Sequence, residues 1–152
     1  GEFRLNVTNR PSADLWRERG VEDCTLSPEL TLPRLRDLSA HGRAIVYGRV
    51  PLMVTEKCVG KELGDCRDCT AGALSLTDRR GVRFPVLRGW KHRSLILNSV
   101  PVYMADKQDE LSRAGIVRRH FIFTVESARE ASQIIDAYRR ALPPTGEIRR
   151  IR

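Results

Sequence analysis

The sequence contains no apolar run approaching the roughly 18 residues that a membrane span requires. No charged-then-apolar leader opens it either. Both absences read as a chain that neither crosses a membrane as a helix nor is secreted, and they predict a cytoplasmic location. A G-x-S-x-G elbow, a Walker loop and a G-x-G-x-x-G fingerprint are all missing, so serine-hydrolase, nucleotide-triphosphatase and dinucleotide-binding readings have no anchor. Internal repeats and low-complexity tracts are missing too. Lysine is scarce: Lys57, Lys61, Lys91 and Lys107 are the only ones.

Arginine fills that gap. Lys plus Arg total 27 against 19 Asp plus Glu, a formal net charge of +8. The densest basic runs are Arg79-Arg80, Arg118-Arg119-His120 and Arg149-Arg150-Ile151-Arg152. An arginine-rich solvated surface explains such a scatter, and an electrostatic attraction to RNA is the functional alternative. None of the runs is interleaved with aromatic residues as a base-stacking platform would be.

At 152 residues, 41% hydrophobic and 30% charged, the composition is that of one globular domain. The opening Gly-Glu-Phe, without methionine, reads as a piece cut from a longer protein. The residues predict a strand over Phe3–Thr8, a helix from Pro11 to Gly20, a strand over Val21–Leu26 and a helix capped by Thr31 that closes at Gly42. An apolar strand, Ala44–Tyr47, follows. This strand–helix alternation predicts an α/β fold with parallel strands. A polar segment from Pro51 to Gly72 interrupts it, and Asp78–Gly81 is the turn of a hairpin between Leu74–Thr77 and Val82–Leu87. Ser94–Leu97 and Val100–Met104 read as extended. A short helix over Asp109–Ala114, a strand over Phe121–Val125 and a helix over Ala128–Leu142 capped by Ser127 complete the pattern. In domain terms this is one unit over 1–142, with a cysteine loop at 56–72 and a hairpin at 73–88, then a basic tail over 143–152.

The chemistry concentrates in the cysteine loop. Cys58, Cys66 and Cys69 have the spacing C-x7-C-x2-C, and His92 follows downstream. In a reducing compartment, clustered thiols more often bind metal or do redox work than form disulfides. Three thiolates and an imidazole suit tetrahedral zinc, and equally an iron–sulfur cluster with one non-cysteine ligand. A nucleophilic pair of Cys58 with His92 or His41 is a further reading, which the additional cysteines disfavour. Cys24, in a predicted strand, reads as a small buried hydrophobe.

The run Val46-Tyr47-Gly48-Arg49-Val50-Pro51-Leu52-Met53 through Cys58 resembles the U-32 peptidase family, the collagenase-like peptidases. Asn6–Asn9, Leu26-Ser27-Pro28-Glu29-Leu30, Asp78–Val86 and Leu97-Asn98-Ser99 resemble further motifs of that family in the same order. The resemblance covers roughly residues 3 to 140. It implies the C-terminal half of a (β/α) TIM-barrel-like fold with an inserted β-hairpin and cysteine loop, the N-terminal barrel half or a homologous chain being the missing partner. Several branches of the family carry a 4Fe–4S cluster and support oxygen-independent hydroxylation of RNA or a quinone precursor, while others are described as proteases. The family cluster uses four cysteines; Cys58, Cys66 and Cys69 correspond to three, and His92 stands at the fourth. Glu29, Arg49, Glu56, Arg79 and Asn98 are the polar residues expected near the substrate or behind the metal ligands. Zinc is the alternative metal, in a noncatalytic module that binds RNA or protein.

Overall fold

The computed structural model describes residues 1–63 and 74–152. They form two compact units, one of residues 1–48 with 102–152 and one of residues 49–101.

The first unit is built around β1 (Ala44–Gly48), whose five residues are all buried. β6 (Val102–Tyr103) pairs with it antiparallel and β7 (Arg119–Ile122) pairs with it parallel, giving the order β6-β1-β7. Four helices flank this sheet: α1 (Arg10–Glu18), α2 (Leu32–Leu38), α4 (Gln108–Arg113) and α5 (Ala128–Arg139). Local chemistry sets their starts. Asn9 accepts a hydrogen bond from Ser12 N at 2.9 Å to open α1, and Ser127 with Glu130 forms a reciprocal capping box for α5. The side chains of Val7, Leu26, Val46, Met104 and Leu111 are almost wholly excluded from solvent and form the core. α5 is locked to the sheet by the Tyr138 hydroxyl, which donates to the Val46 carbonyl at 2.6 Å and accepts from Met104 N at 2.8 Å.

Two predicted strands of this unit do not form as such. Phe3–Leu5 is a single 3-10 turn ended by Asn6 in the left-handed region, and only Val7 bridges, to Leu26. Among the described residues, the isolated parallel bridges Val7–Leu26 and Thr25–Arg43 are the strand pairing of the Val21–Leu26 stretch. β7 begins two residues before the predicted Phe121. The C-terminal basic run is docked: Arg149 bridges Val102, and Arg150 forms a two-point ion pair with Asp106 at 2.5 and 2.8 Å.

The second unit is a four-stranded sheet of order β2-β5-β4-β3, made of β2 (Pro51–Thr55), β3 (Ser75–Thr77), β4 (Arg83–Arg88) and β5 (Ser94–Leu97). A short helix, α3 (Val59–Leu63), follows β2. The predicted hairpin is present. Asp78 Oδ1 accepts from Arg80 N at 2.8 Å and Val82 N at 2.9 Å, and Gly81 takes the positive φ of 82° that the turn requires.

This architecture corrects the expected half barrel. A barrel of that class needs successive parallel strands joined by crossover helices. Among the described residues the β1–β7 ladder is parallel, whereas β1–β6 and all three ladders of the second sheet are antiparallel, and no barrel closes. After β1 the chain enters a meander rather than a helix, so the strand–helix rhythm stops where the cysteine-bearing segment begins. The fold is mixed α/β with two small sheets.

Candidate metal-binding end of the second sheet

Strand register in the second unit determines what Cys58 and His92 share. Thr55, the last residue of β2, pairs with Ser94, the first of β5, and Ser94 also pairs with Arg88, the last of β4. Three strand termini therefore meet at one end of the sheet. Cys58 leaves that end just after β2, and His92 leaves it just before β5. Ser94, 1% exposed, ties the two segments together by accepting from Val59 N at 2.9 Å. Glu56 joins them on the surface, receiving Arg93 Nε and Nη2 at 2.9 Å each.

The Gly89–Arg93 corner is tightly wound. Gly89 N donates to Arg93 O at 2.6 Å, and Lys91 and His92 both have positive φ, 52° and 61°. Two successive non-glycine residues in the left-handed region cost of order 1 kcal/mol or more each, and such strain clusters at functional positions. Arg88 Nη2 lies 3.3 Å from His92 Nε2. A guanidinium can only donate, so in this contact Nε2 is the acceptor. Cys58 is half-buried. A thiol and an imidazole at one sheet end are donor types that zinc and iron–sulfur clusters take. Cys66 and Cys69 lie outside the described residues. Among the described residues, no group of three His, Cys, Asp or Glu side chains converges.

The other polar residues singled out from the sequence are distributed elsewhere. Arg49 Nη1 donates to the carbonyls of Asn98 (3.1 Å) and Ser99, while Asn98 N donates to Val50 O at 3.0 Å. That pair sits at the opposite end of the β2–β5 ladder from Cys58 and His92, about 13 Å away at the rise of an extended strand. Arg79 lies in the exposed turn between β3 and β4, also away from the Ser94 end. Of the expected polar residues in this unit, only Glu56 accompanies Cys58 and His92. Glu29, in the first unit, is exposed beyond Leu26, its backbone N–H 3.5 Å from Ser27 Oγ.

The basic runs are largely engaged within the fold. Arg118 contacts Asp23 and the Ala40 carbonyl, Arg119 donates to Gln108, and Arg150 holds Asp106. The ion pair keeps the Asp106 carboxyl below the usual range and raises Arg150.

One feature of the first unit escaped the sequence reading. Tyr47 donates to Glu126 Oε1 at 3.0 Å, while Glu126 Oε2 accepts from Thr124 N at 2.7 Å and Val125 N at 3.1 Å. These residues lie at the carboxyl ends of the parallel strands β1 and β7, where α/β proteins commonly place ligands. The available signal was a carboxylate directly after an apolar strand and before a helix cap. With three donors already satisfied, Glu126 organises the strand–helix turn. His120, on β7, contacts Thr25 Oγ1 at 2.9 Å, and burial together with Arg43 pushes its pKa below the ordinary value.

Among the described residues no helix is long and apolar enough to cross a membrane. In comparisons with known proteins, the chain matches no family model, no curated protein and no solved structure.

Proposed function

We propose that this chain is an iron–sulfur protein of the U-32 peptidase type, with a 4Fe–4S cluster held by Cys58, Cys66, Cys69 and His92. The observation that carries the reading is the shared departure of the Cys58 and His92 segments from one end of the second sheet, fastened through Ser94. The His92 imidazole and the clustered thiols in the sequence are donor types that such a group uses. When bound, the cluster would supply one-electron redox chemistry or a site for substrate activation. The chain's own contribution is positional. Ser94 fixes the turn after Cys58, Arg88 donates to His92 Nε2, and the Glu56–Arg93 pair braces the two segments on the solvent side. The resemblance points to oxygen-independent hydroxylation of RNA or of a quinone precursor, or to peptide hydrolysis, as the class of reaction.

A second reading is a zinc-stabilised binding module in the cytoplasm. It is favoured by the donor set itself, since three cysteines and one histidine form a common closed zinc site. RNA would be an electrostatic partner of such a module, its affinity falling steeply with salt.

Metal analysis after anaerobic purification tests both. A brown protein with about four irons per chain supports the cluster, and one zinc supports the module. His92→Cys should keep the metal, whereas Cys58→Ala and His92→Ala should each weaken retention by about tenfold or more. Metal content unchanged in Cys58→Ala and His92→Ala, or no metal in the anaerobic wild type, would overturn the proposal.

A further inference from the structure

The first unit carries an open groove of about 440 Å³ between β7 and α5. Its floor is aromatic. Phe121 and Phe123 stack with ring centres 6.2 Å apart, and Tyr138 meets Phe121 edge-on at 4.6 Å. Phe123 and Ile135 remain 37% and 39% exposed, so apolar surface faces solvent where the groove opens. The charged lining is basic: Arg119 and Arg139 contribute to it, and no aspartate or glutamate among the described residues does. Arg139 is on the rim, paired with the exposed Asp136 at 3.2 Å.

Arg119 is placed differently. Its Nη1 donates to the neutral Gln108 amide oxygen, its Nε is buried with no hydrogen-bond partner, and no carboxylate among the described residues lies within ion-pairing distance. A partly buried guanidinium without a counter-charge is costly, and an anion that meets it would offset that cost. The volume falls within the range of about 300–1,000 Å³ typical of small-molecule sites, and an apolar lining with one directing charge is the usual composition of such sites.

We propose that this groove binds a small organic monoanion with a planar apolar ring body, the rings lying against Phe121, Phe123 and Ile135 and the carboxylate directed to Arg119. Aromatic faces reward a flat body through stacking and edge contacts. The positive charge of the guanidinium favours a carboxylate over a neutral or cationic head. All the residues that line the groove belong to the first unit.

The test is a titration of the full chain with naphthylacetate, followed by calorimetry and by amide chemical shifts, with naphthylethylammonium as the cationic counterpart of matched ring body. The expected result is saturable binding of the anion, shifts centred on Phe121, Phe123 and Ile135, and affinity for the cation lower by about tenfold or more. Arg119→Gln should abolish that preference. Ile135→Glu, at an exposed position, should weaken the anion by a similar factor while leaving the circular dichroism spectrum unchanged, so the question is decided even if Arg119→Gln fails to fold. Equal affinity for both head groups, shifts centred away from the groove, or full anion binding by Ile135→Glu would overturn the proposal. So would sedimentation showing the groove covered by a second copy of the chain that Ile135→Glu releases.

Discussion

Replacing Tyr138 with phenylalanine removes one oxygen atom that joins two elements of the core. In the wild type that oxygen donates to the Val46 carbonyl at 2.6 Å and accepts from Met104 N at 2.8 Å. All three residues are buried, with exposures of 8%, 0% and 1% for Tyr138, Val46 and Met104. The ring itself keeps its contacts in the variant, including the edge-on packing against Phe121 at 4.6 Å and Tyr103 at 5.5 Å. What is lost is therefore hydrogen bonding alone. A buried group left without its partner costs about 1–3 kcal/mol. With a donor and an acceptor both stranded, the expected loss is about 2–4 kcal/mol. Urea denaturation followed by circular dichroism is the suitable assay, because an unchanged slope would show that the variant unfolds from the same compact state. At a slope of about 2 kcal/mol/M, the midpoint should fall by about 1–2 M. Tyr103→Phe is the internal control. It removes a single, half-buried bond to the Leu142 carbonyl at 2.9 Å and should cost about 1 kcal/mol. A Tyr138→Phe loss below about 0.5 kcal/mol, the range of an ordinary surface change, would refute the assignment of this hydroxyl as the pin between α5 and β1.

Two further outcomes follow from the first unit. Gly48 has φ of 131° beside Ile122 of β7, and a Cβ there would collide with the Ile122 carbonyl; Gly48→Ala should therefore lower stability by about 2 kcal/mol or more, read as a lower thermal midpoint, and an unchanged midpoint would contradict this packing. Because burial and Arg43 hold His120 below its ordinary pKa of 6.5, the unfolded chain binds more protons there, so the stability from neutral His120 is complete above that value and is lost as pH falls through the folded pKa. Urea midpoints measured on either side of about pH 6.5 should show that slope in the wild type and a weaker one in His120→Gln; identical slopes would count against it.

Some of this architecture was legible because it is written in short-range chemistry. Ser127 three residues before Glu130 announces the start of α5, and Asp78 three residues before Gly81 announces a tight turn, since both motifs are closed by bonds within a few residues. The wholly apolar Ala44–Tyr47 run was legible for a different reason, as a strand covered on both faces shows no alternation. The first strand misled because three alternating positions are too few to fix a strand without a partner, and Asn6 is one of the residues that readily turns left-handed. β2 was folded into a polar loop because Pro51 opens it. In the structure Pro51 begins an edge strand, where a missing N–H is tolerated, and Leu52, Met53 and Val54 stay about half exposed along it.

The barrel expectation failed on a property that composition does not carry, the direction of each strand relative to its neighbour. Apolar runs separated by helix-like segments are equally compatible with crossovers and with a chain that breaks into a meander, and the choice here lies in two local features. The Asp78–Gly81 turn commits β3 and β4 to an antiparallel pair, and the tight Gly89–Arg93 corner does the same for β4 and β5. Once those two reversals are made, β5 has one open edge, and β2 pairs with it antiparallel through the register Thr55–Ser94. That register also decides what the candidate site contains. The Cys58 and His92 segments leave the same end of the sheet because their strands end at the same rung, while Arg49 and Asn98 lie at the other end of the same ladder. The sequence could nominate the donors by their chemistry, but which polar residues stand beside them depends on strand direction. Strand direction puts Arg49 and Asn98 at the far end of the ladder from Cys58 and His92, and puts Glu56, Arg88 and Arg93 at the end those two residues leave.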